Sequence, residues 1–101
     1  MAKKIIWSKN AAEERLEILQ YWFERTGDKT YSKKLYDTFK NAVDRLVNNP
    51  LMGKATDKQD VRYLIREKYL IFYKTSEEEI QILHIWYGRR NPEDLKKLLA
   101  G

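Results

Sequence analysis

Apolar residues recur along this chain with two different periods, and the change between them separates a helical half from a strand half. Ile5, Ile6 and Trp7 are a short apolar run that reads as a first strand. Asn10 and Glu13 then have capping-box spacing, an N-cap side chain followed by an acid that reaches back. From there Ala12, Leu16, Leu19 and Phe23 recur at i, i+4, i+7 and i+11, which predicts one face of a helix, widened by Ile18 and Trp22. Gly27 ends it, as a glycine just past the last turn commonly does. Tyr31, Leu35, Phe39, Ala42 and Leu46 make the stripe of a second helix, flanked by Val43 and Val47 and broken at Asn48-Asn49-Pro50. Two amphipathic helices joined by a few residues predict an antiparallel hairpin. Lys29, Lys33, Lys34 and Lys40 fall on its solvated outer face.

After a polar loop over residues 53–58 the period drops to two. Residues 61–66 alternate, residues 69–73 are a β-branched and aromatic run, and residues 80–87 form a third such segment. Glu67-Lys68 and residues 76–79 are short polar connectors, so the three strands are expected as an antiparallel meander. Gly88 allows a turn that a Cβ would resist. Asn91 as N-cap, Pro92 at the first helical position, and the acids Glu93 and Asp94 then predict a last helix. The order β-α-α-β-β-β-α predicts a single α+β domain over residues 1–101, with the helical hairpin packed on one face of a small, mainly antiparallel sheet. The other face needs a cover, a partner or a function.

Composition narrows the chemistry. With 43 % hydrophobic and 35 % charged residues the chain is globular rather than disordered. A net charge of +5 favours nucleic acid or acidic partners without demanding either. The absence of cysteine rules out disulfides, thiolate zinc sites and a cysteine nucleophile. Nothing in the residues points to a metal or organic cofactor. The opening Met1-Ala-Lys-Lys-Ile-Ile-Trp-Ser8 has too few apolar residues for a secretion signal, and no later stretch approaches a membrane span; the expected compartment is the cytoplasm.

Basic residues are the candidate chemistry. Arg62 and Arg66 share one side of their strand while Val61, Tyr63 and Ile65 take the other. The helix-free face is where these arginines are expected to gather, with Lys68 in the next turn and Arg89 and Arg90 leaving the last strand. Guanidinium forks match phosphate geometry, so such a patch suits a polyanion or an acidic protein segment equally, and two solvated arginines remain the plainer reading of Arg89-Arg90. The lone His84, placed among apolar strand residues, is expected as a packed structural histidine.

The order of elements resembles the RelE/ParE superfamily of toxins from type II toxin–antitoxin modules. So do Val61-Arg62, the run Tyr69-Leu-Ile-Phe-Tyr73, and Ile82-Leu-His-Ile-Trp-Tyr-Gly-Arg-Arg-Asn-Pro92. The strand and the Gly-Arg-Arg exit are the most specific parts; the helices match in pattern only. The resemblance implies a growth-arresting, plasmid-stabilising toxin neutralised by a cognate antitoxin. Operator DNA would be contacted only through that antitoxin, and no membrane is involved. Two targets divide the superfamily: DNA gyrase on the ParE side, and the ribosome with its mRNA on the RelE side. If the chain is an RNase, the resemblance makes Arg90 and Arg62 the catalytic candidates, working without a metal. Target or antitoxin contacts would fall on Arg89, Arg90, Arg66, Lys68 and Tyr87. Two departures weigh against nuclease chemistry. Leu70 stands where ribosome-dependent nucleases usually carry an arginine, and residues 96–101 offer no tyrosine or histidine as general acid or base. Tyr87 and His84 are the nearest substitutes. The ParE-like reading is therefore preferred, with the mRNA endoribonuclease and an inactive antitoxin-binding module as alternatives.

Overall fold

The computed structural model describes residues 3–88. In chain order the elements are β1 (Lys4–Trp7), α1 (Lys9–Thr26), α2 (Thr30–Leu46), β2 (Lys54–Ala55), β3 (Val61–Arg66), β4 (Tyr69–Thr75) and β5 (Glu79–Tyr87). They build a five-stranded sheet ordered β1-β5-β4-β3-β2. Only β1 is parallel to its neighbour β5; the other pairings are antiparallel. The fold is α+β, with both helices on one sheet face. Where a polar loop was expected, Lys54 and Ala55 pair with Tyr63 and Arg62 as an edge strand too short to carry a period. The helix expected from Asn91 lies outside the described residues.

The two helices and one sheet face share a core of Ala11, Leu35, Phe39, Leu46, Leu64, Ile71, Tyr73 and their neighbours. α2 buries the stripe its spacing predicts, through Leu35, Phe39, Ala42, Val43 and Leu46. α1 departs from expectation in two ways. Its cap is Ser8, not Asn10: Ser8 Oγ accepts from the Ala11 amide at 3.0 Å and donates to the Leu83 carbonyl at 2.9 Å. Its inward face is also rotated. Ala11 is buried, with Ile18, Leu19 and Trp22 packed on the core, whereas Leu16 is 65 % and Phe23 42 % exposed. The inward positions run Ala11, Glu14, Ile18, Trp22, and a carboxylate within that series hid the true stripe. Gly27 ends α1 at φ 79° with its amide on the Phe23 carbonyl, as expected.

The β3–β4 turn is tight: Glu67 and Lys68 both have positive φ, 50° and 71°. Two consecutive left-handed residues are the type I′ arrangement, for which Asn-Gly is the preferred pair. Neither side chain suits that region, so Glu67→Asn with Lys68→Gly is expected to stabilise the fold by about 1 kcal/mol, read as a shift of the urea midpoint at unchanged slope. Gly88 answers to space rather than to a left-handed φ. Its amide meets the Lys68 carbonyl at 2.6 Å, and a Cβ would lie 2.8 Å from that same oxygen.

One bulge decides what β5 presents. Tyr73 pairs with Ile82 but Phe72 pairs with His84, leaving Leu83 as the extra residue. The parity of the strand changes there. Ile80, Ile82 and Ile85 all reach the helix-side core, while Leu83 and Trp86 join Val61 and Phe72 on the opposite face.

Candidate partner-binding site

The basic residues do not collect as the sequence suggests. Arg62 and Arg66 do share a side of β3, but it is the helix-covered side, flanking Leu64, which belongs to the main core. Arg62 Nη1 donates to the Gly53 carbonyl at 2.9 Å and lies 3.5 Å from that of Leu51, so this guanidinium ties down the loop after α2. Arg66 Nη1 donates to the carbonyl of Ile65. Four residues at about 3.3 Å each separate the two arginines by about 13 Å along the strand. The helix-free face is apolar instead: Val61, Phe72 and Trp86 are buried in a cluster to which Tyr63, Leu70 and Leu83 add. Among the described residues no helix lies over it, and Ile65 is 49 % exposed there.

Three of the expected contact residues fall at one end of the sheet. Arg66 pairs with Tyr69, Tyr69 pairs with Tyr87, and Gly88 bonds to Lys68, so Arg66, Lys68 and Tyr87 share the end of the sheet. Arg89 and Arg90 lie outside the described residues.

Beside that end, α1 and β5 enclose a groove of about 510 Å³. Trp22 holds its floor: the indole Nε1 donates to the Tyr69 hydroxyl at 2.8 Å, and its ring meets Tyr21 and Tyr31 edge-on at 5.1 and 4.9 Å. Tyr69 packs edge-on against Phe39 and lies 5.6 Å from the Tyr87 ring. Burial pushes the Tyr69 hydroxyl above its ordinary value of 10.0, against the Trp22 hydrogen bond, so it is a neutral polar group at physiological pH.

Glu14 is the residue that sequence reading missed. β1 pairs with β5 only as far as Ile82, and among the described residues no strand pairs with the rest of that edge. α1 crosses that edge, and Glu14 Oε1 accepts from the Ile85 amide at 3.2 Å and lies 3.1 Å from His84 Nδ1, while Oε2 accepts from Trp86 Nε1. The carboxylate accepts the main-chain hydrogen bond that a neighbouring strand would otherwise take. His84 is thereby a half-buried structural residue, its ring 4.6 Å from that of Trp86. The signal available in the sequence was an acid falling in register with Ala11, Ile18 and Trp22.

Among the described residues no group of three or more His, Asp or Glu side chains gathers to hold a metal, and no helix is long and apolar enough to cross a membrane. Comparison with known proteins adds the decisive observation. Residues 5–92 match the family model described as the ParE toxin of the type II toxin–antitoxin system parDE. This chain belongs to the ParE toxin family. The similar solved structures concern the fold alone. One is from the chromosomal ParDE toxin–antitoxin system of P. aeruginosa, at 23% identity and a TM-score of 0.73, covering 85% of this chain and 96% of that one. Another is from the E. coli DinJ–YafQ toxin–antitoxin complex, at 10% identity and a TM-score of 0.56, covering 86% and 93%. No curated protein matches the sequence. Within this ParE-family fold, Leu70 packs in the apolar cluster of the helix-free face, not on the helix-covered side that carries Arg62 and Arg66.

Proposed function

We propose that this chain is a cytoplasmic, growth-arresting toxin that inhibits DNA gyrase and is silenced by a cognate antitoxin. The family match over residues 5–92 carries the reading. Two features of the site support binding over phosphate chemistry. Leu70 lies in an apolar cluster, and Arg62 spends its guanidinium on main-chain carbonyls. Neither is placed to stabilise a transferring phosphate. Arg66, Lys68 and Tyr87, with Arg89 and Arg90 following in sequence, form the contact end. An acidic antitoxin segment complements a +5 chain, and the exposed Leu16 and Phe23 on α1 offer it apolar area. Operator DNA is reached only through the antitoxin.

Purified chain added to gyrase is expected to block ATP-dependent supercoiling of relaxed plasmid, and premixed antitoxin to abolish the block. Unimpaired supercoiling, together with fresh cuts inside translated codons that vanish in Arg90→Ala, would overturn this in favour of a ribosome-dependent mRNA endoribonuclease using Arg90 and Arg62. Growth without arrest, with antitoxin binding intact, would leave an inactive antitoxin-binding module.

A further inference from the structure

We infer that the groove between α1 and the end of β5 is a receptor for one arginine side chain presented by a partner polypeptide. In a chain of net charge +5, the described residues that line this concavity include two carboxylates, Glu14 and Glu17, against one cation, Arg25. It therefore rejects the acidic or phosphate ligands that the rest of the surface attracts. The two carboxylates differ in a way that suits a cation. Glu14 is fixed by the Ile85 amide, the Trp86 indole and His84, and its side chain is only 24 % exposed. It is a pre-set negative charge, partly shielded from water, where attraction is stronger than in bulk solvent. Glu17, one turn along, is exposed and makes no hydrogen bond or ion pair among the described residues, so it is free to close over a ligand.

The walls specify which cation. Tyr21 is 51 % and Tyr87 42 % exposed, a pair of large rings left open to solvent on either side of the groove. Aromatic faces attract cations, and a planar guanidinium stacks on a ring while forking its N–H groups onto a carboxylate. A compact, strongly hydrated ammonium gains less from the same walls. Arg25 lines the groove beside one wall, its Nη1 3.5 Å from the Tyr21 hydroxyl. The volume of about 510 Å³ admits an arginine side chain together with part of the backbone that carries it. The inference holds whether or not gyrase is the target.

The test titrates the purified chain with N-acetyl-arginine amide and, in parallel, with its neutral isostere N-acetyl-citrulline amide. Amide and indole NMR signals report binding. Saturable shifts at the Trp22 and Trp86 indole N–H and the Tyr87 amide are expected with the arginine probe and not with citrulline. Glu17→Gln, which leaves the fixed Glu14 network alone, is expected to weaken binding about two- to fivefold. Tyr87→Ala is expected to weaken it about three- to tenfold, and Lys34→Ala, at an exposed position of α2 away from the groove, to leave it unchanged. Equal shifts from both probes, no saturable shift, or full-strength binding to Glu17→Gln would each overturn the inference. None of these outcomes bears on the supercoiling result, which uses no arginine probe.

Discussion

Glu14→Ala is expected to destabilise the fold by about 3 kcal/mol, the largest effect of any polar substitution on α1. The reason lies in what the side chain accepts. The Ile85 amide, the Trp86 indole N–H and His84 all converge on one carboxylate along the part of β5 beyond its pairing with β1. Alanine takes the acceptor from the Ile85 amide, worth about 1 kcal/mol or more when shielded from water, and removes the carboxylate from the Trp86 indole. It also removes the side chain that joins α1 to the sheet at this point. Glu14→Gln keeps one acceptor oxygen and is expected to cost about half as much. Urea denaturation checks both, with Leu16→Ala as the control expected within about 0.5 kcal/mol of the parent because Leu16 is 65 % exposed. Amide hydrogen exchange at Ile85 supplies the local readout and should accelerate in Glu14→Ala beyond the global loss. An effect on stability below about 1 kcal/mol would mean that water, not Glu14, satisfies this edge.

The same residue shows why the fold was more legible than the site. Periodicity reported α2 faithfully because every inward position on it is apolar, from Leu35 through Leu46. On α1 two stripes compete. The series Ala12, Leu16, Leu19, Phe23 looks better than Ala11, Glu14, Ile18, Trp22, since pattern reading scores a carboxylate as solvent-facing. Burial of that carboxylate depends on three donors supplied from residues about seventy positions away, which no local window sees. The strands behave alike. β3 has the alternation, and β4 the β-branched and aromatic run, that predict them, but Leu83 as a bulge sends Ile85 inward and Trp86 outward, a change of parity set by pairing with Phe72 and Tyr73. Sharing of one side by Arg62 and Arg66 follows from a period of two. Which side that is depends on Leu64 meeting the helices, a tertiary fact. The ParE-like resemblance survived these errors because it rested on residues 61–92 and on element order, not on the faces assigned to α1.

Tyr73→Phe is expected to cost about 2 kcal/mol, and its cost is expected to shrink as the solution becomes alkaline. The fully buried Tyr73 hydroxyl accepts from the Gly53 amide and donates to the Pro50 carbonyl, both at 2.9 Å, which fixes the loop that leads from α2 into the edge strand. Phenylalanine strands a buried amide donor. Gly53 cannot turn away to find another partner cheaply, because even a Cβ there would lie 2.7 Å from the Tyr63 carbonyl and from the Tyr73 ring. Burial raises the hydroxyl above 10.0, outweighing the Gly53 hydrogen bond and the nearby Arg62, which both lower it. A raised folded-state value means that the unfolded tyrosine ionises first as pH climbs. Its contribution is therefore complete below about pH 9 and is lost as pH rises through 10 toward the folded value. The gap between parent and Tyr73→Phe, measured by urea unfolding at pH 8 and again near pH 10.5, should narrow. Lysine titration affects both proteins alike and cancels in that difference. A gap that stays constant would show that the hydroxyl ionises as readily in the folded chain as in the unfolded one. The loop would then owe its position to Arg62 on the Gly53 carbonyl rather than to a neutral, shielded tyrosine.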